Sequence, residues 1–374
     1  MAKHIADPRV FVRDASYDYE KLKPLMFGLL SMLDQGRIQQ HSRVLIKPNF
    51  LAPASPDRAM ITHPLVIRAA VEYVHEKGAL PQVSDSPAMG TFERVMHEGG
   101  IVHALRGIPV VCRPFKDSCM VDVGPPFNRI EIAADAIAAD VIINLPKLKT
   151  HTQMLLTLGV KNMFGCIVGL RKPEWHLRAG IDRERFAELL VRICAAVRPS
   201  ITVLDGILAM EGQGPGKGGV PRALGVVMAA NDAFAVDAVV CRMLGIKEDE
   251  LLTNRLAVTM GLMPERISIE GDLPAVRDMH LPAMTPLVFG PKGLQGFMRK
   301  HLVQRPACET SLCRHCGECW RYCPAKAIAP QMQGLRFDYD KCIRCYCCIE
   351  VCPFGALSAK ETAAGSVARR ILKR

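Results

Sequence analysis

The chain has 374 residues, of which 49% are hydrophobic, and carries a formal net charge of +11. This length suits two domains. No apolar run reaches the roughly 20 residues of a membrane-spanning helix, and none forms the core of a signal peptide, so we expect a cytoplasmic protein without a transmembrane segment. Aromatic residues make up only 6% of the chain and no basic stretch alternates with them, so we expect no nucleic-acid partner.

Short apolar runs alternate with helical patterns over residues 1–300. The predicted strands are Arg43–Ile46, Gln82–Ser84, Val110–Cys112, Asp140–Asn144, Ser200–Leu204 and Leu224–Met228. The predicted helices are Pro64–Lys77, Thr91–Gly99, Arg183–Val197 and Ala233–Met243. This alternation is typical of βαβ units, and short β-branched runs are typical of strands buried on both faces. We therefore predict an α/β fold for residues 1–300, as a large layered domain with a mostly parallel sheet.

Polar clusters follow most of these predicted strands. In open α/β sheets, ligands bind beyond the carboxyl ends of the strands, so these side chains are expected to converge on one cleft. The residues predicted to be catalytic are Asp85, Lys147, Lys149 and His151. The residues predicted to bind substrate are Lys47, Asn49, Asn144, Lys161, Asn162 and Asp205. Lysines outnumber acids in this set, which favours a small anionic substrate.

Simpler interpretations stay open for these residues. A single lysine is typically a solvated surface charge, and His151 is as typical of a packed or capping histidine as of a catalytic one. The segment Glu211–Arg222 is rich in glycine and proline and predicts a loop, in which residues 214–219 form a mobile loop or lid. No Gly-rich dinucleotide fingerprint follows a strand and no P-loop motif is present, so neither kind of site is indicated.

The cysteines cluster near the C-terminus. Ten of the 15 lie between Cys308 and Cys352, and they include two copies of C-x₂-C-x₂-C-x₃-C-P. In two-cluster ferredoxins the last cysteine of each such motif binds the other cluster. The predicted ligands are Cys313, Cys316, Cys319 and Cys352 for the first cluster, and Cys342, Cys345, Cys348 and Cys323 for the second. Structural zinc sites are the weaker alternative, because they require neither the third cysteine nor the Cys-Pro.

Residues 305–360 thus resemble a bacterial-type two-[4Fe-4S] ferredoxin domain. We predict a small α+β two-cluster ferredoxin-like domain at 301–360, with two [4Fe-4S] clusters as cofactors. These clusters would lower the net charge to about +7. Cys308 and Cys347 are predicted not to be ligands, and Trp320, Tyr322 and Tyr346 to shield the sulfur atoms or simply to pack. The basic tail at 361–374 is predicted to be frayed and solvated, with a weak membrane-surface or acidic-partner contact as the alternative.

Residues 40–260 are similar to the domain of unknown function family numbered 362. The similarity rests on K-P-N at 47–49, S-D-S-P at 84–87, N-L-P-K-L-K-T-H at 144–151, G-V-K-N-M-F-G at 159–165 and V-L-D-G-I at 203–207. Similar members often carry a C-terminal two-cluster ferredoxin module. The resemblance implies a site at these motifs but no particular reaction.

Three functional hypotheses follow from this arrangement. The first is an iron–sulfur redox protein whose clusters transfer electrons to or from a substrate in the α/β domain, which makes an iron–sulfur oxidoreductase one option. The second is a non-catalytic electron carrier or assembly protein that uses the α/β domain as a docking platform. The third is a non-redox enzyme whose clusters are structural or sense oxygen. The expected partner is a redox protein or a small anionic substrate.

Overall fold

The computed structural model describes residues 7–169, 171–180, 182–282 and 301–372. Its strands are β1 (Arg9–Asp14), β2 (Arg43–Pro48), β3 (Leu80–Val83), β4 (Val111–Cys112), β5 (Ser118–Gly124), β6 (Asn128–Ala133), β7 (Val141–Leu145), β8 (Lys147–His151), β9 (Leu155–Thr157), β10 (Ile201–Gly212), β11 (Gly219–Ala230), β12 (Ser268–Glu270), β13 (Arg305–Cys308), β14 (Ile328–Pro330), β15 (Leu335–Phe337) and β16 (Leu357–Lys360).

Its α-helices are α1 (Tyr19–Asp34), α2 (Pro64–Glu76), α3 (Phe92–Glu98), α4 (Ile101–Ala104), α5 (Ala134–Ala138), α6 (Gly159–Asn162), α7 (Arg171–Ala179), α8 (Arg183–Val197), α9 (Ala233–Leu244), α10 (Leu252–Thr259), α11 (Glu318–Arg321), α12 (Cys347–Glu350) and α13 (Ala363–Leu372). Short 3₁₀ turns lie at Pro56–Arg58, Met163–Cys166 and Glu248–Glu250. The domain boundary predicted at residue 300 lies outside the described residues and stays a prediction.

Within the described residues, ten strands of the large domain form one sheet. Its path is β12-β1-β11-β10-β7-β2-β3-β4, and β8 and β9 join it beside β10. The strands from β10 to β4 are parallel, whereas β11 runs antiparallel to both β1 and β10. The prediction of an α/β fold with a mostly parallel sheet is confirmed.

Helices cover both faces of this sheet. Successive side chains of a strand point to opposite faces, so an apolar strand in a central position fills two cores. On β2, Val44 and Ile46 belong to the core that contains α1 and α2, whereas Leu45 belongs to the core that contains α8. Helix α9 packs on β10 and β11 on the same side as α8. The resulting three layers leave the carboxyl ends of β2, β3 and β7 free to carry polar groups.

The prediction of a loop at Glu211–Arg222 is wrong at both of its ends. Strands β10 and β11 pair as far as Gly212 and Gly219, so only residues 213–218 connect them. β1 pairs only with Val226–Ala229 of β11, so the part of β11 that contains Pro221 lies at an edge of the sheet. Proline, which has no N–H group, is tolerated at such an edge. The tip is anchored, because the N–H and hydroxyl groups of Thr152 donate to the Gly214 carbonyl at 3.2 and 2.9 Å.

Residues 301–372 form a small α+β unit. β13 pairs with β16 and β14 with β15, both antiparallel, and each of the one-turn helices α11 and α12 lies inside one copy of the cysteine motif. The prediction of a frayed tail is wrong for Ala363–Leu372, which form a helix capped by the hydroxyl of Thr362, the acceptor for the Gly365 N–H at 3.0 Å. Among the described helices, none combines the length and apolar character that crossing a bilayer requires.

Candidate functional site

A hydrogen-bonded network occupies the carboxyl ends of β2 and β7 and the segment after β3. Its members are Lys47, Asn49, Asp85, Asn144, Lys149 and Asn162, all from the predicted site. Lys47 Nζ lies 2.9 Å from Asp85 Oδ1, and both side chains are buried. Asn162 donates to Asn144 at 2.8 Å and accepts from Asn49 at 2.9 Å. Lys47 and Asp85 therefore neutralise each other, whereas Lys149 has only neutral hydrogen-bond acceptors and burial lowers its pKa well below the usual value.

Gly165 allows this network to close. A Cβ atom at this position would lie 2.5 Å from Lys47 Nζ and closer still to Asp85 Oδ1. Asp85 Oδ2 also accepts from the Phe50 N–H at 2.8 Å, so its carboxylate has little freedom to move aside. Glycine is therefore required here by close approach rather than by backbone conformation.

Lys147, the first residue of β8, and Asp205 form a separate buried pair. Lys147 Nζ lies 2.8 Å from Asp205 Oδ2 and donates to the Tyr17 hydroxyl at 2.8 Å. The Tyr17 hydroxyl donates to Asp205 Oδ1, and its ring stacks on His63 with centroids 3.5 Å apart. Burial lowers the pKa of Lys147 and raises the pKa of Tyr17. Because these groups satisfy one another, the cluster ties β8 and β10 to the loop before α1.

His151, at the end of β8, joins the two domains. Its Nδ1 accepts from the N–H groups of Gln153 and Met154 at 3.1 and 3.2 Å, so the ring proton is on Nε2. Nε2 lies 3.0 Å from Glu350 Oε1 in helix α12. Burial lowers the pKa of His151 to about 4, so the ring is neutral at pH 7 and its contact with the carboxylate is not an ion pair. Within the described residues, neither His151 Nε2 nor Glu350 Oε1 has a partner in hydrogen-bond geometry. The capping interpretation of this histidine therefore has a direct structural basis.

A cavity of about 80 Å³, open to solvent, lies where the two domains meet. We call it the interdomain cavity. The predicted residues that line it are Lys47, Asn49, Asp85, Lys161 and Asn162. The predicted residues that do not line it are Asn144, Lys147, Lys149, His151 and Asp205, which are buried in the strands behind it. The small domain contributes Tyr322, Cys347, Glu350 and Val351 to the opposite wall. The catalytic and substrate-binding roles stay predictions.

Three further polar residues of the large domain line the cavity and lie outside all the sequence motifs: Thr157, Lys172 and His176. Within the described part of the chain, Thr157 Oγ1 and His176 Nδ1 are buried without a hydrogen-bond partner. Lys172 Nζ donates to the Ser86 carbonyl, and burial lowers its pKa to about 8. The spacing of Lys172 and His176, four residues apart, places both on one face of α7 and is the one local signal that links them.

The cysteines surround two hollows in the small domain. The first hollow is lined by Cys313, Cys316, Cys319 and Cys352. The second hollow is lined by Cys323, Cys342, Cys345 and Cys348. In the described residues, no three Cys, His, Asp or Glu side chains converge on a point as a single ion would need. Four thiols around a hollow of this kind fit an iron–sulfur cluster.

The aromatic residues of the motifs divide between the hollows and the cavity. Trp320 borders the first hollow and Tyr346 borders the second. Tyr346 is buried, and its hydroxyl donates to the Gln304 carbonyl at 2.8 Å. Tyr322 and Cys347 line the interdomain cavity instead. Two of the three predicted shielding residues therefore cover a hollow, and the third separates the second hollow from the large domain.

Two family models match the chain. The model described as "Domain of unknown function (DUF362)" matches residues 44–242, and the model described as "4Fe-4S dicluster domain" matches residues 312–356. Among curated relatives, Thylakoid-associated protein sll1697 from Synechocystis sp. is 36% identical over 287 residues, which cover 75% of this chain and 89% of that protein. That similarity extends along most of both chains.

Other similarities are shorter. Hydrogenase-4 component A from Escherichia coli is 37% identical over 71 residues, 18% of this chain and 35% of that protein. Pyruvate synthase subunit PorD from Thermotoga maritima is 39% identical over 61 residues, 16% of this chain and 60% of that protein. The solved lactate racemase apoprotein from Thermoanaerobacterium thermosaccharolyticum has a TM-score of 0.36 and 11% identity, and covers 55% of this chain and 51% of its own. The chain thus spans about half of that structure.

Proposed function

Because the chain belongs to the DUF362 family and carries a 4Fe-4S dicluster domain, we propose that it exchanges electrons with a small substrate bound in the interdomain cavity. The dicluster domain itself makes the chain an iron–sulfur protein with an electron-carrier role. One observation carries the proposal of a substrate: the interdomain cavity is lined both by predicted site residues and by the residues that flank the second hollow.

The proposal includes two [4Fe-4S] clusters, one in each hollow. When bound, such clusters supply one-electron transfer at potentials that hydrogen bonds and solvent exposure adjust. The exchange of the last cysteine between motifs is supported by the lining of the hollows, because Cys352 borders the first and Cys323 borders the second. Cys308 borders neither hollow, and Cys347 borders only the cavity, which agrees with their absence from the proposed ligands.

The chain brings the second hollow next to the cavity. Tyr322 and Cys347 line the cavity, and each precedes a proposed ligand, Cys323 and Cys348. The contact between His151 and Glu350 holds α12 against β8 and keeps this wall in place. A molecule in the cavity would thus be separated from the second hollow by little more than one layer of side chains.

The first hollow faces outward. Cys316 is exposed, and Leu312 and Phe354 beside it are 48% and 45% exposed. An exposed apolar surface at this end supports contact with a redox partner protein. The same observation also favours the alternative function, in which the chain is a non-catalytic electron carrier or assembly protein with the large domain as a docking platform.

Cysteine variants test the cluster assignment. In the chain purified without oxygen, we expect about eight iron and eight sulfide ions, as two [4Fe-4S] clusters require. Cys348→Ser should lose about half of both, whereas its neighbour Cys347→Ser should keep them. Equal iron in the two variants would show that the assignment is wrong. A small molecule retained by the purified chain and displaced by Lys161→Gln would separate the substrate-binding proposal from the carrier alternative.

A further inference from the structure

We infer that the interdomain cavity binds a small monocarboxylate, whose oxygen atoms are held by Lys161, Thr157 and His176 around an otherwise apolar pocket. This inference rests on the proposed function for the place of the ligand, next to the second hollow. It adds the chemical class of the ligand and two residues, Thr157 and His176, that the sequence motifs did not indicate.

The first argument is that hydrogen-bonding groups around the cavity lack partners. Thr157 and His176 are 3% and 6% exposed, and within the described residues Thr157 Oγ1 and His176 Nδ1 have no hydrogen-bond partner. A buried polar atom left unpaired costs about 1–3 kcal/mol, so such atoms are normally paired in the functional state. Both side chains line the same cavity, where a ligand oxygen can pair with them.

Lys161 adds an ammonium group that Glu350 attracts electrostatically and whose pKa burial lowers, but that no side chain of the described residues binds directly. Its side chain lines the cavity, and among the described residues Nζ makes neither a hydrogen bond nor an ion pair. The other cavity lysines differ from it. Lys47 is paired with Asp85 at 2.9 Å, and Lys172 is held by the Ser86 carbonyl. An ammonium without a partner beside unpaired polar atoms is the binding element that a carboxylate requires.

The charge balance of the cavity selects a single negative charge. The cations that face it are Lys47, Lys161 and Lys172, and the carboxylates are Asp85 and Glu350. His176 is neutral at pH 7, because burial lowers its pKa to about 3. Among these lining side chains, one positive charge remains uncompensated. A monoanion neutralises this charge, whereas a phosphate dianion would leave an unpaired negative charge in a partly buried site, and the negative charge of the second cluster would raise that cost further.

The remaining walls indicate that the ligand has an apolar part. Phe50, Leu51, Phe164 and Pro173 line the cavity together with the polar groups. A few convergent polar groups in a mainly apolar pocket are the usual composition of a small-molecule site. The cavity volume of about 80 Å³ leaves room for a carboxylate with a short carbon chain.

The test uses propionate, propionamide and inorganic phosphate as probes with the oxygen-free, cluster-loaded full chain. Saturation-transfer NMR reports binding of the two organic probes, and competition reports phosphate. We expect binding of propionate, little binding of its neutral analogue propionamide, and no competition by equimolar phosphate. Lys161→Gln should weaken propionate about 10- to 100-fold, as expected for loss of a charge-assisted hydrogen bond. Thr157→Val, which nearly conserves volume, should weaken it less.

Lys21→Gln is the matched control, because Lys21 is exposed and lies on helix α1. It should bind propionate as the unaltered chain does. Iron content and circular dichroism of each variant establish that it is folded. Equal binding of propionate and propionamide, tighter binding of phosphate, or undiminished binding by Lys161→Gln would overturn the inference.

A second readout separates this inference from the proposed function. Reduced clusters are paramagnetic, so reduction of the chain should broaden the proton signals of a propionate bound beside the second hollow. Binding with added broadening supports both the monocarboxylate site and the cluster next to the cavity. Binding without it supports the monocarboxylate site and contradicts a cluster next to the cavity. Absence of propionate binding in a chain that holds both clusters contradicts the inference alone.

Discussion

Substitution of Gly165 by alanine tests how rigidly the Lys47–Asp85 pair is held at the cavity wall. The added Cβ would lie 2.5 Å from Lys47 Nζ and 2.7 Å from Lys47 Cε, and still closer to Asp85 Oδ1. Neither partner can move without loss. Lys47 Nζ also donates to the Pro48 carbonyl at 2.8 Å, and Asp85 Oδ2 accepts from the Phe50 N–H at 2.8 Å.

The magnitude follows from the two ways in which the clash can be relieved. If the side chains tilt and stay paired, the cost is that of overpacking, about 1–3 kcal/mol. If the buried pair separates, the cost is about 3–5 kcal/mol. Because both groups are buried and have further partners, we expect a loss on the order of 3 kcal/mol in the free energy of unfolding.

Gly28→Ala is the matched control for this substitution. Gly28 lies within α1, and a Cβ there would meet no heavy atom within 4 Å. Alanine should stabilise the helix by about 0.5–1 kcal/mol. Urea unfolding followed by circular dichroism without oxygen measures both variants, and iron content is determined in parallel. If the free energies of unfolding of Gly165→Ala and Gly28→Ala differ by less than about 0.5 kcal/mol, the Lys47–Asp85 pair is not held rigidly against Gly165.

Two further predictions concern histidines. Burial lowers the pKa of His63 in the folded state to about 4, whereas the unfolded chain binds a proton at this residue near pH 6.5. The unfolded state is therefore favoured increasingly, and the protein loses stability, as the pH falls from about 6.5 to about 4. His63→Asn keeps an acceptor for the Leu65 N–H but cannot titrate. We therefore expect the variant to lose about 1 kcal/mol less stability between pH 7 and pH 5 than the unaltered chain, allowing for the partial exposure of His63. An unchanged dependence of stability on pH would contradict this. For the contact between His151 and Glu350, a double-mutant cycle to alanine should give a coupling of about 0.5–3 kcal/mol, the range for side chains in direct contact, and additive effects of the two substitutions would contradict a contact that holds α12 against β8.

Local patterns were sufficient for the elements that the sequence predicted well. The apolar run at β7 and the helical period at α9 depend on residues a few positions apart, and both elements form where predicted. Strand β8 shows why other parts were missed. Its sequence Lys-Leu-Lys-Thr-His looks polar, yet all five residues are buried, because partners such as Asp205 and Glu350 lie far away in the chain.

The same distinction applies to the site. Sequence motifs found Lys47, Asp85 and Lys161, which line the cavity. They could not distinguish these from Lys147 and Lys149, because all five directly follow or lie near apolar runs. Only the packing of the strands shows that Lys147 and Lys149 are buried behind the cavity and already have partners.

The sequence by itself was sufficient to propose the cysteine ligands and to locate the polar clusters at strand ends. Both depend on short spacings, since a three-cysteine loop or a strand end places its side chains without help from distant residues. The tertiary structure alone decided that α12 packs against β8 and that the two domains share one cavity. Within the described residues, it also decided that Lys161 has no hydrogen bond or ion pair. Burial and charge pairing are properties of groups that are distant in the chain, and they exist only once the two domains are folded together.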